Sequence, residues 1–276
     1  METQHFDWLG LQDKVCAVTG AGGGIGRAVA VVLASAGAKL VILDLDGRQS
    51  AETAQQVRAL GGQVLVLECN VSNPDNVDAA ARRSRDAFGP CDVLVNNAAL
   101  LRPGPLRNLS LGEWNALLSV NLTGGFLCSQ AFGAQMLEAG SGSIIHVASI
   151  AASHPQGFSG AYSVSKAGIV MLSRQLAVEW GPSGVRSNVV SPGLVITPMS
   201  QEFYDAPGVL QRRSAVVPAR RIGQPQDMAD TVLFLASARS GYISGEEIIV
   251  DGGFGRALMN LIPRPGHDQS EQGGSL

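Results

Sequence analysis

Short apolar segments alternate with longer helical patterns along most of the chain, and this alternation constrains the fold more than any other feature of the sequence. Seven short segments are apolar at almost every position and predict strands: 14–19, 39–44, 63–68, 92–96, 143–149, 185–191 and 246–251. Six longer segments predict helices: 24–36, 48–60, 74–88, 111–137, 160–180 and 225–237. Such strands are buried on both faces, so helices must cover each side. The pattern predicts an α/β protein with a three-layer, doubly wound parallel sheet.

The chain shows no sign of a second domain. It has no internal repeat and no linker rich in proline or serine, so we expect one domain over residues 1–276. Residues 254–276 form a C-terminal tail that begins with an apolar patch and then becomes polar and glycine-rich. The patch consists of Leu258, Met259, Leu261 and Ile262. This tail is interpreted either as frayed or as a strap over a neighbouring subunit.

Composition and charge exclude several classes of protein. With 45% hydrophobic and 16% charged residues, the chain can bury a large core and is not disordered. Its formal net charge of −3 lacks the basic excess of a nucleic-acid binder. The uncharged stretch from Trp114 to Leu137 is long enough to span a membrane, but polar residues and a glycine pair interrupt it, which favours a buried helix. We therefore expect neither nucleic acid nor a membrane as a partner.

Cysteines and histidines lack the spacing of a disulfide framework or a metal site. The four cysteines show no CxxC pairing and occur at 16, 69, 91 and 128. The four histidines are scattered, at 5, 146, 154 and 267. We expect buried thiols in a reducing cytosol and no metal. The N-terminus lacks the apolar core of a signal peptide, so we expect a cytoplasmic protein.

A glycine-rich turn follows the first predicted strand and reads Thr19-Gly-Ala-Gly-Gly-Gly-Ile-Gly26. A tight turn from strand to helix and close approach of a pyrophosphate to backbone N–H groups both require small residues. The helix N-terminus adds a partial positive charge. Together with an acid at the end of the second strand, this context predicts a dinucleotide site rather than a flexible loop. The turn lacks the GK[ST] of a P-loop, which disfavours a triphosphate as the ligand.

Asp44, the acid that ends the second predicted strand, favours NAD over NADP. A carboxylate accepts hydrogen bonds from the adenosine ribose diol and repels a 2′-phosphate. Gly23 occupies the loop position where a basic residue would hold that phosphate, although Arg48 lies near enough in sequence to swing in. The structural alternative is a turn residue at the end of a strand.

Tyr162 and Lys166 are four residues apart at the start of a predicted helix, which places them on one face. A tyrosine base at pH 7 needs its pKa lowered by about three units, or roughly 4 kcal/mol. One ammonium at ~4 Å with an effective dielectric near 20 supplies about that much.

The pair alone is common on helices, and Ser163 to Lys166 also fits the S-x-x-K motif of acyl-serine enzymes. That second interpretation lacks its SDN and KTG partners. Residues 157–161, GFSGA, narrowly miss a nucleophile elbow.

Further motifs accompany this pair in order along the chain: NNAA at 96–99, Asn121 in VNLTG, Ser149, PGLVIT at 192–197 and SGEEIIVDGG at 244–253. With the glycine turn and YSVSK at 162–166, the set resembles the short-chain dehydrogenase/reductase family in its compact single-domain form. The resemblance covers residues 15–253. It implies a Rossmann-type dinucleotide-binding catalytic domain with strand order 3-2-1-4-5-6-7, and NAD(P)-dependent chemistry on CH–OH groups.

The resemblance implies a catalytic tetrad of Asn121, Ser149, Tyr162 and Lys166. Tyr162 would exchange a proton with the alcohol or carbonyl oxygen, and Ser149 would hold that oxygen by a hydrogen bond. Lys166 would lower the pKa of Tyr162 and hold the nicotinamide ribose. Asn121 would anchor a water in the proton path.

The cofactor site implied by the glycine turn and the resemblance uses residues that follow several strands. These are Gly20, Gly22, Gly24, Ile25, Gly26, Asp44, Leu45, Asn70, Val71, Asn97, Ala98, Tyr162, Lys166, Pro192, Gly193, Val195 and Thr197. Two positions depart from the family pattern. Asn70 replaces the usual Asp that receives the adenine amino group, and Ala99 replaces the last glycine of NNAG.

The family also implies a homotetramer, whose first dimer interface would use the helices at 111–137 and 160–180. The apolar patch at the start of the tail suits a second interface. A frayed tail is the alternative.

The substrate is expected to be a medium-sized, largely apolar secondary alcohol or ketone. A lid over residues 194–217 supplies apolar side chains, and the candidate contacts are Leu100, Ala151, His154, Gln156, Phe158, Met199 and Phe203. Two other functions stay open: a 3-ketoacyl carrier-protein reductase using NADPH, and a cofactor-sensing relative without catalysis. The first is disfavoured because residues 108–165 contain no Lys or Arg to dock an acidic carrier.

Overall fold

The computed structural model describes residues 7–262 as one seven-stranded parallel sheet with helices on both faces. The strands are β1 Val15–Thr19, β2 Lys39–Asp44, β3 Val64–Glu68, β4 Val93–Asn96, β5 Gly142–Val147, β6 Val185–Pro192 and β7 Glu247–Val250. Their order across the sheet is β3-β2-β1-β4-β5-β6-β7. This confirms the doubly wound α/β fold and the strand order that the resemblance implied. Residues 1–6 and 263–276 of the expected domain and tail lie outside the described residues.

Capping side chains lie at the start of some of the helices. The helices are α1 Gly24–Ser35, α2 Gly47–Ala59, α3 Pro74–Phe88, α4 Leu111–Leu118, α5 Gly124–Ala139, α6 Tyr162–Trp180, α7 Gln201–Tyr204, α8 Val209–Val216 and α9 Pro225–Ala236. Asp46 accepts a hydrogen bond from the Gln49 N–H to cap α2, and Ser110 and Glu113 form a capping box on α4. Such side chains satisfy the free N–H groups of the first turn.

Two hydrophobic layers enclose the sheet. One face packs against α1, α2 and α9 through residues such as Leu33, Val57 and Val232. The other packs against α3, α5 and α6 through residues such as Val77 and Phe132. All five residues of β1 are buried, as expected for a central strand covered on both sides.

The predicted helix at 111–137 is wrong in one respect, because it is interrupted. A π-helical turn, Ser119–Thr123, separates α4 from α5. A π turn inserts one extra residue into the helical repeat and is common at functional sites. Asn121 lies in this π turn and is buried. Its side-chain amide donates a hydrogen bond to the Leu100 carbonyl oxygen.

Three smaller features differ from the sequence-based expectation. The predicted lid contains two short helices, α7 and α8. The helix expected from residue 160 begins at Tyr162. The first part of the tail forms two 3-10 turns, Phe254–Arg256 and Leu258–Leu261. Among residues 7–262, no helix is long and apolar enough to cross a membrane.

Gly133 sets the distance between α5 and α6. A Cβ atom at this buried position would overlap the ring of Trp180, the last residue of α6. We expect Gly133→Ala to lower the free energy of unfolding by about 1–2 kcal/mol, because overpacking outweighs the helix propensity that alanine adds. Urea denaturation measures the change. Gly181→Ala is the matched control, since Gly181 has φ −53° and a methyl group added there would meet nothing within 4 Å. Equal stability of the two variants would contradict the packing interpretation.

Candidate active site

The predicted site residues meet at one edge of the sheet. Because all strands are parallel, their carboxyl ends share this edge, and ligands of such sheets bind there, where the strand order reverses. The reversal lies between β1 and β4. The glycine turn follows β1, Asp44 ends β2, Asn97 follows β4 and Ser149 follows β5.

Hydrogen bonds from the end of β4 hold the glycine turn in place. The Asn97 Nδ2 donates to the Thr19 and Gly20 carbonyl oxygens, each at 3.0 Å. The backbone N–H groups of Asn97 and Ala98 both donate to the Thr19 Oγ1, again at 3.0 Å. A Cβ at Gly26 would overlap the Gly20 carbonyl oxygen. The Asn97 side chain, expected to bind cofactor, therefore shapes the turn.

The turn fits a pyrophosphate. Gly23 is the N-cap of α1 and has extended backbone with no side-chain cap, so the N–H groups of the first turn are not covered by a capping side chain. No acidic residue lies in that turn. An α1 of 12 residues adds a positive partial charge at this end. A Cβ added at Gly24 would lie 3.5 Å from the Thr197 Cβ, and Ile25 packs on the core beneath.

Asp44 presents a fixed carboxylate beside this turn. Its Oδ2 accepts a hydrogen bond from the Gly22 N–H at 2.8 Å, and its Oδ1 accepts one from the Asp46 N–H at 3.0 Å. A Cβ at Gly22 would lie 2.9 Å from the Asp44 Oδ2. Leu45 and Arg48 are exposed next to it. The observed cradle fits a dinucleotide, with the carboxylate where the adenosine end would lie.

Asn70 and Val71, expected to contact adenine, follow β3. The Asn70 Oδ1 accepts hydrogen bonds from the Ser72 N–H at 3.0 Å and the Ser72 Oγ at 2.7 Å. Val71 is buried against Gly124. The side-chain carbonyl proposed for adenine thus already stabilises its own loop, and the adenine contact stays a prediction.

Ser149, Tyr162 and Lys166 come together between β5 and α6. The Ser149 hydroxyl lies near enough to the Tyr162 phenol to affect its pKa, and the Ser149 Oγ accepts a hydrogen bond from the Ala151 N–H at 3.1 Å. Lys166 is buried, and its Nζ donates to the Val147 carbonyl oxygen at 2.9 Å. The same Nζ lies 5.6 Å from the centre of the Tyr162 ring.

The pKa values of this pair are set mainly by burial. Burial raises the pKa of Tyr162, and the hydrogen bond with Ser149 acts in the opposite direction. The Lys166 charge is not among the causes that set the pKa of Tyr162 in this structure, where the ammonium donates to the Val147 carbonyl oxygen. Burial also lowers the pKa of Lys166 to about 8. Lys166 is still mostly charged at pH 7.

Asn121 ties three segments of the site together. Its Oδ1 accepts a hydrogen bond from the Leu100 N–H at 2.7 Å, and its Nδ2 donates to the Leu100 carbonyl oxygen at 2.9 Å. The same Nδ2 donates to the Ser165 Oγ at 3.1 Å. The side chain thus fixes the segment after β4 against α6, while the water expected at Asn121 stays a prediction.

The segment after β6 borders the glycine turn. The Gly193 N–H donates to the Val250 carbonyl oxygen at 3.0 Å, which continues the sheet past Pro192. Ser200 holds the next residues: its Oγ donates to the Val195 carbonyl oxygen at 2.7 Å and accepts from the Thr197 N–H at 3.0 Å. Sequence reasoning missed Ser200, whose role depends on the fold of the lid.

The candidate substrate residues lie on loops with different exposure. Ala151 is buried, while Phe158, Met199 and Phe203 have 75%, 48% and 38% of their surface exposed. His154 lies beside Gly255 of the C-terminal segment, 3.4 Å from a Cβ at that position. The Gln156 carbonyl oxygen accepts a hydrogen bond from the Ser159 hydroxyl at 2.8 Å, which stabilises the loop.

A buried polar pair beneath the site was not predicted. His146 on β5 and Asn96 on β4 are opposite each other in register, and both side chains are buried. Asn96 belongs to the NNAA motif, and His146 is a polar residue in an apolar strand, so both signals were present in the sequence. Burial lowers the pKa of His146 to about 3, with a smaller contribution from the Lys166 charge. His146 is therefore neutral.

Comparisons with known proteins agree with this geometry. A family profile described as Enoyl-(Acyl carrier protein) reductase matches residues 20–255. Subunit BbsD of (2S)-[(R)-hydroxy(phenyl)methyl]succinyl-CoA dehydrogenase from Thauera aromatica is 39% identical over 247 residues, covering 89% of this chain and 98% of the relative. D-threitol dehydrogenase from Mycolicibacterium smegmatis is 39% identical over 250 residues, covering 90% and 95%.

Solved structures give the same assignment. The crystal structure of gox2181 has a TM-score of 0.87 at 32% identity and covers 92% of this chain and 100% of its own. A structure from Agrobacterium tumefaciens solved with bound NADP has a TM-score of 0.83 at 30% identity, covering 89% and 98%. The chain belongs to the short-chain dehydrogenase/reductase family, a family of NAD(P)-dependent oxidoreductases.

Neutral His146 makes the fold sensitive to acid. The unfolded chain binds a proton at this residue below pH 6.5, whereas the folded chain does so only near pH 3, so stability falls as the pH drops through this window. From pH 7 to pH 5 the loss due to His146 is about 2 kcal/mol. We expect His146→Gln to remove that part of the pH dependence. Urea unfolding of both proteins at pH 7 and pH 5 measures this loss of stability. An equal loss in the two proteins would contradict a neutral, buried His146.

Proposed function

We propose that the protein is an NAD-dependent oxidoreductase that interconverts a secondary alcohol and a ketone, with Tyr162 as the general acid and base. The observation that carries this proposal is the meeting of Ser149, Tyr162 and buried Lys166 at the edge of the sheet that also holds the glycine turn. Proton transfer by a positioned side chain near a bound cofactor is the chemistry that this arrangement supports.

Each residue then has a defined task. The glycine turn and Lys166 would hold a nicotinamide cofactor, which would supply hydride transfer to or from the substrate carbon. The Tyr162 phenolate takes the proton of the alcohol in oxidation, and the phenol returns it in reduction. The Ser149 hydroxyl donates to the substrate oxygen, and the Lys166 ammonium favours the phenolate over the phenol. Asn121 keeps the segment around Leu100 in place beside them.

The cofactor-sensing alternative is less well supported. A binding protein without catalysis has no need for a tyrosine hydrogen-bonded to a serine, nor for a buried ammonium next to it. Burial disfavours the charged form of a lysine. A lysine buried at this position therefore indicates that its charge has a function in the site.

The preference for NAD rests on Asp44. Its carboxylate is fixed by the Gly22 and Asp46 N–H groups beside the glycine turn, where it would accept hydrogen bonds from a ribose diol and repel a phosphate. The NADP-bound Agrobacterium structure shows that this fold also accommodates the other cofactor. Asp44 is therefore the residue to test.

A medium-sized, largely apolar substrate is proposed from the loops around the site. Phe158, Met199 and Phe203 expose apolar surface on those loops, and Ala151 adds a small apolar wall. The relative from Thauera is named for a phenyl-bearing secondary alcohol, which agrees with an aromatic substrate. The other relative is named for D-threitol, a polyol, so a substrate screen must include sugars and polyols.

A thioester substrate is the second candidate. The Thauera relative is named for a CoA thioester, and the profile description names an acyl carrier protein. The lid also carries arginines, which lie outside the stretch 108–165 that lacks basic residues. Among them, the Arg213 guanidinium lies 5.0 Å from the Tyr204 ring centre and 5.6 Å from that of Phe203. Reduction of acetoacetyl-CoA with NADPH, faster than oxidation of any simple alcohol with NAD, would favour this candidate.

A homotetramer in the cytoplasm is proposed as the working form. Phe126 on α5 and Met171 and Val178 on α6 expose apolar side chains on the helices expected to form the first dimer interface. Leu258 and Met259 do the same on the C-terminal segment. The four cysteines are all free and buried, as expected for a reducing compartment.

Loss of the Tyr162 hydroxyl should abolish most of the activity. We expect Tyr162→Phe to lower kcat by about 10²–10⁴-fold with a panel of secondary alcohols, because general acid–base catalysis contributes that much. The absorbance of NADH, formed as the nicotinamide takes up the hydride, measures the rate. Tyr242→Phe is the matched control, since Tyr242 is fully exposed and remote in sequence from the site. Full activity of Tyr162→Phe would overturn the mechanism.

Removal of the Asp44 charge should shift cofactor preference. We expect Asp44→Ala to raise the ratio of kcat/KM for NADP to that for NAD by at least about tenfold, because a unit charge beside a phosphate is worth more than ~1.4 kcal/mol. Asp46→Asn is the control: it removes a charge two residues away and keeps the oxygen that caps α2. Tighter binding of NADP than NAD by the unaltered protein would refute the role of Asp44.

A further inference from the structure

The Gln49 side chain lies over the glycine turn. It extends from the first turn of α2, and a Cβ atom added at Gly22 would lie 3.1 Å from the Gln49 Cβ and 2.9 Å from the Asp44 Oδ2. A Cβ added at Gly23, the next residue, would lie 3.0 Å from the Gln49 Oε1. Gln49 is therefore adjacent to the Asp44 carboxylate, and its carboxamide oxygen faces Gly23.

The orientation of the Gln49 carboxamide is fixed by Asp46. The Gln49 backbone N–H donates to the Asp46 Oδ1 at 3.0 Å, and the Gln49 Nε2 donates to the Oδ2 at 2.8 Å. The first of these hydrogen bonds lowers the pKa of Asp46, so the carboxylate is ionised at neutral pH and both oxygens are acceptors. With the carboxamide turned around, two acceptors would face each other. The nitrogen must therefore point at Asp46 and the oxygen at the glycine turn.

Gly23 is not required by its backbone conformation. Its φ of −159° and ψ of 177° are extended and open to any residue. Its chain neighbours aside, an added Cβ would meet two atoms of the described residues: the Gln49 Oε1 at 3.0 Å and the Pro198 Cγ at 3.9 Å. The second distance is an ordinary contact, whereas the first is closer than van der Waals contact. The Gln49 oxygen is therefore what opposes a side chain at position 23.

These contacts lie where an NADP phosphate would bind. An acid at the end of the second strand binds the 2′-hydroxyl of the adenosine ribose, and NADP carries its additional phosphate on that oxygen. Such a phosphate would lie beside Asp44 and Gln49. Its oxygens are acceptors and need donors, usually from a basic side chain. Gln49 presents an oxygen instead, and it opposes the basic side chain that position 23 could carry.

We propose that Gln49 is a second residue that selects NAD against NADP, by holding its carboxamide oxygen over Gly23. This inference rests on the proposed function, because it concerns the cofactor of that reaction, and it adds an uncharged determinant to the role of Asp44. The competing interpretation is that Gln49 only stabilises the start of α2. Its substitution would then change the affinities for NAD and NADP by the same factor, so the ratio of the two affinities separates the interpretations.

Isothermal titration calorimetry of the full chain with NAD and with NADP measures that ratio without turnover. We expect Gln49→Lys to raise the affinity for NADP relative to NAD by about tenfold, because an ammonium replaces an acceptor beside the phosphate. Gln49→Ala, which only removes the acceptor, should raise it by about threefold. Gln56→Lys is the matched control, since it makes the same change at an exposed residue further along α2. Equal ratios in Gln49→Lys and Gln56→Lys would overturn the proposal.

A double variant tests the contact with position 23. We expect Gly23→Arg alone to raise the same ratio by less than about threefold, because the Gln49 oxygen displaces the new side chain. In Gly23→Arg/Gln49→Ala the ratio should exceed the product of the two single effects by at least about threefold, since removal of the oxygen lets the guanidinium reach the phosphate. A ratio equal to that product would overturn the steric part of the proposal.

Asp46→Asn tests what orients the carboxamide. The new amide keeps its oxygen on the Gln49 N–H, so its nitrogen donates to the Gln49 Oε1 and turns the Gln49 nitrogen toward Gly23. We expect this donor to raise the affinity for NADP relative to NAD by about threefold, less than Asp44→Ala does. An unchanged ratio would contradict the orientation by Asp46.

The outcomes for Gln49 and for the proposed function are distinguishable. If the unaltered protein binds NAD but oxidises no alcohol, the proposed function fails, and the affinity ratios still decide the role of Gln49. Tighter binding of NADP than of NAD by the unaltered protein would overturn that role, whatever alcohol is oxidised. Binding of neither cofactor would overturn both.

Discussion

The hydrogen bonds that join the ends of β1 and β4 are the constraint on which the site depends. Thr19 receives two backbone N–H groups from the start of the next loop, and Asn97 returns its side-chain amide to the carbonyls of the glycine turn. This junction lies where the strand order reverses, so it joins the half of the sheet that carries Asp44 to the half that carries Ser149. A shift there would move the cofactor cradle relative to the proton-transfer residues.

The fold could be predicted from the sequence because its strands are apolar and the central ones are buried on both faces. Apolar runs marked all seven strands, and the motif order supplied their arrangement. The lid helices could not be predicted, because α7 and α8 are short and contain no buried residue that would create a periodic pattern. The π turn could not be predicted either, because the residue it buries, Asn121, is polar and does not contribute to a hydrophobic pattern.

The sequence could predict which candidate residues lie close together, but not the pKa values that they have there. Residue spacing placed Tyr162 and Lys166 on one helix face, which the structure shows. Spacing says nothing about burial, however, and burial dominates the pKa values of both groups. The pairing of Asn96 with His146 depends on the register between β4 and β5, which no motif specifies. Local sequence thus identifies the chemical groups of the site, and long-range packing sets their pKa values.

The lid is held largely by bonds within its own segment. Ser200 pairs with Val195 and Thr197, and Gln201 donates to Asp205. By contrast, Asn121 and Lys166 are bonded to strands and loops distant in the chain. Mutations that reshape the lid can therefore accumulate without disturbing proton transfer. Enzymes for unlike alcohols can arise by substitutions confined to residues 194–217, a stretch of 24 residues that is longer than most loops.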